Sequence, residues 1–258
     1  MPFSLPHAIT PIVAKMITVY KEINSVLDLG CGFGKYGVLC RETFDIFAGR
    51  YKLESWRTRI VGVEIYPEYI TSFQKTIYSE IIIKDALTYL KETKEKFDMI
   101  LCLDVIEHLP KEQGKELVKE ILAHHNKLVF ITTPNGYMPQ GALYNNEHET
   151  HRCGWTVEEF KELGLDTKII KADGMVEELI LAVKEVKKVR LAQSFGWAYL
   201  EKGEELKCSG HDGDEQYPIK VEQKCVACKR IVGRWMTCGC PDNRVLCKEC
   251  YDKGVRLK

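Results

Sequence analysis

The run Val26-Leu27-Asp28-Leu29-Gly30-Cys31-Gly32-Phe33-Gly34 constrains this chain more than any other segment. An apolar stretch carries an acid and then gives way to three glycines, each separated by one residue. Glycines in that density mark a turn that side chains would block and a place where a ligand lies against bare backbone. The pattern belongs at the end of a strand and the start of a helix. It differs from the G-x-G-x-x-G turn that seats a pyrophosphate at a helix N-terminus, because the third glycine comes one residue early and Asp28 precedes the first. An acid there repels a pyrophosphate and suits a ligand that carries an amino group.

Four more apolar runs follow in order. Arg59–Glu64 ends in a carboxylate, which at a second strand can accept hydrogen bonds from both hydroxyls of a ribose. Glu80–Ala86 contains Asp85, Phe97–Asp104 continues into Val105-Ile106-Glu107-His108-Leu109-Pro110, and Lys127–Asn135 is the fifth. Near-continuous apolar runs fit strands covered on both faces. Helical patterns lie between them: Lys35–Phe44, Lys111–His124 with Leu117, Val118, Ile121 and Leu122 on one face, and Thr156–Leu163, which opens on a capping-box sequence and closes at Gly164. Strands near Thr167–Lys171 and Glu178–Val186 finish the region. The alternation predicts a doubly wound α/β domain. Asp28, Glu64, Asp85 and Asp104 all fall at carboxyl ends of strands, where such sheets bind ligands. The glycine loop and Glu64 are farther apart than in the dinucleotide fold, which points to an insertion around Ala48–Thr58, of which Tyr51–Thr58 is expected to shape the pocket together with the Tyr137–Asn146 loop.

The glycine run resembles motif I, and Asp104–Pro110 motif IV, of the class I methyltransferases that use S-adenosylmethionine (SAM), in particular the "type 11" group. The resemblance covers Ser25–Val186 and implies a Rossmann-like seven-stranded sheet whose last two strands form an antiparallel pair. It implies that Asp28 and the Gly30, Gly32 and Gly34 backbone hold the methionine end. It also implies that Glu64 holds the ribose, that Asp85 and the Ala86 N–H hold the adenine, and that Asp104 closes the pocket.

Methyl transfer to oxygen needs a proton acceptor, and the candidates are Glu107, His108 and His151. A helix beginning at Asp104 would put residues 104, 107 and 108 on one face. Thr133-Pro134-Asn135 and His151-Arg152-Cys153-Gly154-Trp155-Thr156 also resemble the small-RNA 3′-terminal 2′-O-methyltransferases. In that family an E-x-x-E-H motif and a later histidine bind a divalent metal, and the matching positions are Asp104, Glu107, His108 and His151. The first is Asp rather than Glu, and D-V-I-E-H also occurs in metal-free relatives, so an active-site metal is not the expectation. His148 reads as a solvated loop residue, and Trp155 as a core anchor whose indole could instead wall the acceptor pocket.

Seven of the eleven cysteines crowd into the last 51 residues. They form Cys208-x-x-His211, Cys225-x-x-Cys228, Cys238-x-Cys240 and Cys247-x-x-Cys250, ligand pairs that fit structural zinc, one or two ions. The stretch from Lys224 to Tyr251 resembles a cross-braced ZZ-type zinc finger. That resemblance implies one ion on Cys225, Cys228, Cys247 and Cys250, and a second on Cys238, Cys240, Cys208 and His211. The middle pair is C-x-C and the usual downstream histidines are missing, so the upstream pair must substitute.

The expected organisation is therefore a methyltransferase domain over residues 1–186, a connector over 187–207 and a small zinc-binding domain over 208–258. Net charge is zero, so no global field advertises nucleic acid or a membrane, and no signal sequence or apolar run of spanning length is present. A cytoplasmic protein is expected. The preferred function is O-methylation of a small molecule or glycan. The alternatives are RNA 2′-O-methylation guided by the tail, and a non-catalytic adaptor that binds protein partners through zinc.

Overall fold

The computed structural model describes residues 6–171 and 178–186, together with the backbone of four short strands farther on. The chain divides into two compact units, Met1–Lys188 and Val189–Lys258. In the first, α1 (Ile9–Thr18) precedes β1 (Ser25–Leu29), α2 (Lys35–Arg41), β2 (Arg59–Glu64), α3 (Ser72–Ile77), β3 (Glu80–Ile83) and α4 (Ala86–Glu92). Then come β4 (Phe97–Leu103), α5 (Lys111–His124), β5 (His125–Pro134), α6 (Val157–Glu162), β6 (Asp166–Lys171) and β7 (Glu178–Glu185).

The seven strands form one sheet in the order β3-β2-β1-β4-β5-β7-β6. The first five are parallel, while β7 runs antiparallel to both β5 and β6. The order reverses between β1 and β4, and a sheet of this kind opens a crevice at that point.

Side-chain alternation divides the core between two faces. Leu27, Leu29, Ile100, Cys102, Val129 and Ile131 pack with Leu90 of α4, Leu117 and Ile121 of α5, and Phe160 of α6. Val26, Met99, Leu101, Leu128 and Phe130 pack on the other face with Ile12 and Met16 of α1 and Tyr36 and Cys40 of α2. Strands β1 and β4 are buried almost throughout, which is why their sequences read as continuous apolar runs rather than alternating ones.

Three local features depart from the sequence expectations. Helix α2 stops at Arg41 and widens into a π turn over Glu42–Ile46 instead of running regularly to Phe44. The wider turn accompanies a fully buried Asp45, which accepts hydrogen bonds from Arg41 Nη1 (2.8 Å), Arg50 Nε (2.9 Å) and the N–H groups of Arg57 (2.9 Å) and Thr58 (3.3 Å). These bonds tie down both ends of the Ala48–Thr58 insertion. No residue of that insertion lines the main cavity, so the expectation that it shapes the pocket fails. No helix begins at Asp104 either: its φ is +55°, and only a 3₁₀ turn, Ile106–His108, follows before α5. By contrast, α6 carries the capping box expected of Thr156 and Glu159, and Gly164 takes the left-handed conformation just past the helix end.

In the second unit, β8 (Trp197–Ala198) pairs antiparallel with β11 (Trp235–Met236), and β9 (Leu206–Ser209) with β10 (Gln216–Ile219). The backbone of Cys208 lies in β9. The other expected zinc ligands, His211, Cys225, Cys228, Cys238, Cys240, Cys247 and Cys250, lie outside the described residues. Among the described residues no helix is long and apolar enough to cross a membrane.

Candidate active site

The glycine loop joins β1 to α2 with Gly30, Gly32 and Gly34 all at positive φ (+70°, +47° and +89°). A Cβ at Gly30 would sit 2.5 Å from Val105 Cγ2, so the chain passes the β4 loop with no room for a side chain. Gly32 N–H donates to Glu64 Oε2 at 2.9 Å, and Tyr66 N–H donates to Glu64 Oε1 at 2.9 Å. The second-strand carboxylate is thus fixed against the glycine loop. Burial pushes it up, while the two N–H donors oppose that shift.

A cavity of about 480 Å³ opens along these carboxyl ends. Asp28, Gly30, Gly32, Glu64, Asp85, Ala86 and Asp104 line it, as do Glu107, His108 and His151. One continuous space therefore joins the expected cofactor residues to the expected proton acceptors. Gly34 stands outside this lining and caps α2.

Asp28 is buried, and its Oδ2 accepts a 2.6 Å hydrogen bond from the Tyr78 hydroxyl. Burial pushes its carboxyl up to about 7 against the Tyr78 bond, and the charge of Glu64 adds to the rise. Asp85 caps α4, accepting from the N–H (2.8 Å) and hydroxyl (2.9 Å) of Thr88, so Oδ1 is already engaged in structure. Asp104 Oδ1 accepts from Thr132 Oγ1 at 2.8 Å.

At the other end, one donor atom from each of Glu107, His108 and His151 lies within 4.8 Å of the others, and Asp104 does not join them. The loop after Thr150 builds this cluster: the N–H groups of Arg152 (2.7 Å) and Cys153 (3.2 Å) donate to the Glu107 carbonyl. His108 Nδ1 faces the Thr150 carbonyl at 3.3 Å and His151 Nδ1 the Met138 carbonyl at 2.6 Å. A ring nitrogen facing a carbonyl carries the proton, which leaves each Nε2 as an acceptor. Burial, reinforced by His151, lowers His108 to about 4, so it is neutral near pH 7. Glu107 is pushed well above the usual carboxylate range by burial and then by Asp104, and its Oε2 has no hydrogen-bond partner. Two imidazole nitrogens and an orphaned carboxylate oxygen are a donor set that fits a divalent cation as well as a proton.

The strap from Gly136 to Thr150 forms much of the remaining wall through Met138, Gln140, Leu143, Asn146, His148 and Glu149. Tyr69 fastens it, donating its hydroxyl to Glu149 Oε1 (2.8 Å) and accepting from Asn146 Nδ2 (3.1 Å). His148 is exposed on this strap. Trp155 is fully buried against Phe160 (ring centroids 5.2 Å apart) and lines no part of the cavity, as expected of an anchor. Tyr69, Tyr78, Gln140 and Asn146 escaped the sequence reading because each depends on a long-range contact that no local pattern announces. Lys35, which directly follows the glycine run, also lines the cavity and could have been found.

Residues 26–127 match the family model of a methyltransferase domain. The chain therefore contains a methyltransferase domain over those residues. Solved structures with a related fold include TehB from Haemophilus influenzae (15% identity, covering 70% of this chain and 63% of that one, TM-score 0.50). A second is the 1,6-didemethyltoxoflavin-N1-methyltransferase of Burkholderia thailandensis (16% identity, 69% and 77% coverage, TM-score 0.49). A third is a SAM-dependent methyltransferase from Archaeoglobus fulgidus (21% identity, 67% and 93% coverage, TM-score 0.46). No curated protein matches the chain. At its identity, TehB speaks to the fold alone. The residues present suit SAM: bare backbone at Gly30 and Gly32, a carboxylate at the second strand end and a buried acid at Asp28 share one cavity.

Proposed function

We propose that the chain is a SAM-dependent methyltransferase that acts on a hydroxyl group of a small molecule or glycan. The observation that carries the reading is the Glu107–His108–His151 cluster on the wall of the cofactor cavity. SAM supplies an electrophilic methyl group on a sulfonium. The chain's task is to hold the acceptor oxygen in line with it and to receive the hydroxyl proton as the C–O bond forms and the C–S bond breaks. Neutral His108, with Nδ1 anchored on Thr150, offers Nε2 for that proton; His151 and Glu107 orient the acceptor. Asp28 and the glycine loop hold the methionine end, Glu64 the ribose, and Asp85 and Ala86 the adenine edge. The test is transfer of labelled methyl from SAM into a host lysate split into small-molecule, glycan, RNA and protein fractions. Label confined to protein would overturn the reading. No label anywhere, with SAM binding intact, would favour an adaptor.

The donor geometry of the same cluster supports a second reading, metal-assisted methylation of a terminal ribose hydroxyl of RNA. Glu107, His108 and His151 would hold the cation, which would lower the pKa of the acceptor hydroxyl. Dialysis against EDTA that abolishes transfer, with Mn²⁺ or Mg²⁺ restoring it and label in RNA, would select this reading; EDTA-insensitive transfer would remove it.

The C-terminal cysteine pairs are read as a structural zinc module, with Cys225, Cys228, Cys247 and Cys250 on one ion and Cys208, His211, Cys238 and Cys240 on a second. Supporting it are the ligand spacing and the cysteine density of the segment. A protein or RNA partner is proposed for that module.

A further inference from the structure

Tyr78 follows α3 directly and is not an expected member of any site, yet the fold makes unusual room for it. Its ring lies in a trough formed by two glycines from different elements. A Cβ at Gly37 of α2 would fall 2.4 Å from Tyr78 Cζ, and one at Gly62 of β2 would fall 3.0 Å from Tyr78 Cδ1 and 2.9 Å from Cys31 Sγ. Glycine is unfavourable both inside a helix and inside a strand, so the bare positions at Gly37 and Gly62 call for a reason. The ring they admit supplies one. The trough leads the Tyr78 hydroxyl into the core, where it donates to Asp28 Oδ2 at 2.6 Å.

Asp28 lines the cofactor cavity, so this bond joins a core side chain to the binding surface. Lys35 of α2 lines the same cavity but acts with Asp104, and the remaining groups near Asp28 do not favour its charge. Glu64 on β2 repels it, and Cys31 of the glycine loop, Tyr36 and Cys40 of α2 and Cys102 of β4 are neutral thiols or a phenol. Of the influences on Asp28, burial and Glu64 oppose ionisation, whereas the Tyr78 bond supports it.

We propose that Tyr78 is a positioning residue of the cofactor site, whose hydroxyl fixes Asp28 as a hydrogen-bond acceptor and so prepares its carboxylate for the ammonium end of the cofactor. The proposal rests on the role of Asp28 given above. Binding an ammonium group requires Asp28 to be charged. Without the hydroxyl, ionisation must be driven by the ligand alone, and the deficit grows as pH falls.

The test is binding of S-adenosylhomocysteine by calorimetry to wild type, Y78F, D28N and the double variant, at about pH 6.5 and about pH 8.5. Phenylalanine keeps the ring in its trough, and thermal melts establish that each variant is folded. The ratio of Y78F to wild-type Kd cancels the titration of the ligand itself. Loss of a hydrogen bond to a charged acceptor predicts a ratio of roughly tenfold at the lower pH and less than about threefold at the higher. Adding Y78F to D28N should change Kd by less than about twofold. A constant ratio at both pH values, or an equal loss in the D28N background, would overturn the proposal while leaving Asp28 in its role. If D28N binds like wild type, the role of Asp28 falls and the proposal with it.

Discussion

Truncating Glu64 to Ala should deprive the protein of most of its cofactor affinity. In the structure this carboxylate is buried and already serves two N–H groups, Gly32 at 2.9 Å and Tyr66 at 2.9 Å. Each oxygen of a carboxylate has a second lone pair, and the proposed ribose hydroxyls would use those. A hydrogen bond to a charged group contributes about 1.5–3 kcal/mol net, so two of them set the gross loss at roughly 3–6 kcal/mol. Water entering the space left by the side chain would solvate the Gly32 and Tyr66 N–H groups and the ribose, which argues for the lower end. About 3 kcal/mol corresponds to roughly a hundredfold rise in Kd. Glu64→Gln keeps one acceptor oxygen but turns an NH₂ toward the other backbone donor, and about a tenfold loss is expected. Calorimetry with S-adenosylhomocysteine measures both variants, with thermal melts to establish folding. A folded E64A protein that binds within about threefold of wild type would refute the reasoning, because cofactor binding would then not depend on the second-strand carboxylate.

Other consequences concern stability, chemistry and the tail. Asp45→Ala leaves Arg41 buried without its carboxylate and should destabilise the first unit by about 3–5 kcal/mol, or of the order of 10 °C in melting temperature, with cofactor affinity little changed. Burial pushes the Asp45 carboxyl up, but the bonds from Arg57 N–H, Arg50, Arg41 and Thr58 N–H outweigh this and hold it below the usual range. Its stabilisation is therefore present above the unfolded-state value and is lost as pH falls through the lower folded value; a melt series between neutral and acid pH, compared with D45A, checks this sign. His108→Ala should slow methyl transfer by roughly 10²–10⁴-fold while S-adenosylhomocysteine affinity stays within about threefold, and a parallel loss of affinity would contradict its placement at the acceptor end. Chelation should release zinc from the tail and lower its ordered content by circular dichroism, with cofactor affinity nearly unchanged; a large loss of affinity would mean that tail and cavity form one site.

The five parallel strands were legible because buried parallel strands leave apolar runs, whereas the antiparallel last pair was expected from the family resemblance. Helix α5 was legible because Leu117, Val118, Ile121 and Leu122 recur at helical spacing. The positions of Asp28, Glu64 and Asp104 at strand ends followed from the same runs. What escaped depends on contacts distant in sequence. The bonds to Asp45 come from as far away as Thr58, and nothing local distinguishes Asp45 from a surface acid. The turn after Asp104 was read as helix because its residues permit one, but Asp104 adopts a left-handed backbone while its N–H donates to the Thr132 carbonyl (3.0 Å), and the chain resumes helix only at Lys111. The glycines at 37 and 62 are visible in the sequence, yet their reason is a tyrosine 41 and 16 residues away.

The central claim is that one cavity seats the cofactor with its reactive sulfur facing Glu107, His108 and His151. A crystal structure of the full chain with S-adenosylhomocysteine tests it most directly. The ribose hydroxyls are expected on Glu64, the amino group on Asp28, and the sulfur turned toward the three-residue cluster. A ligand seated in the cavity with its sulfur turned away from that cluster, or with its ribose off Glu64, would contradict it.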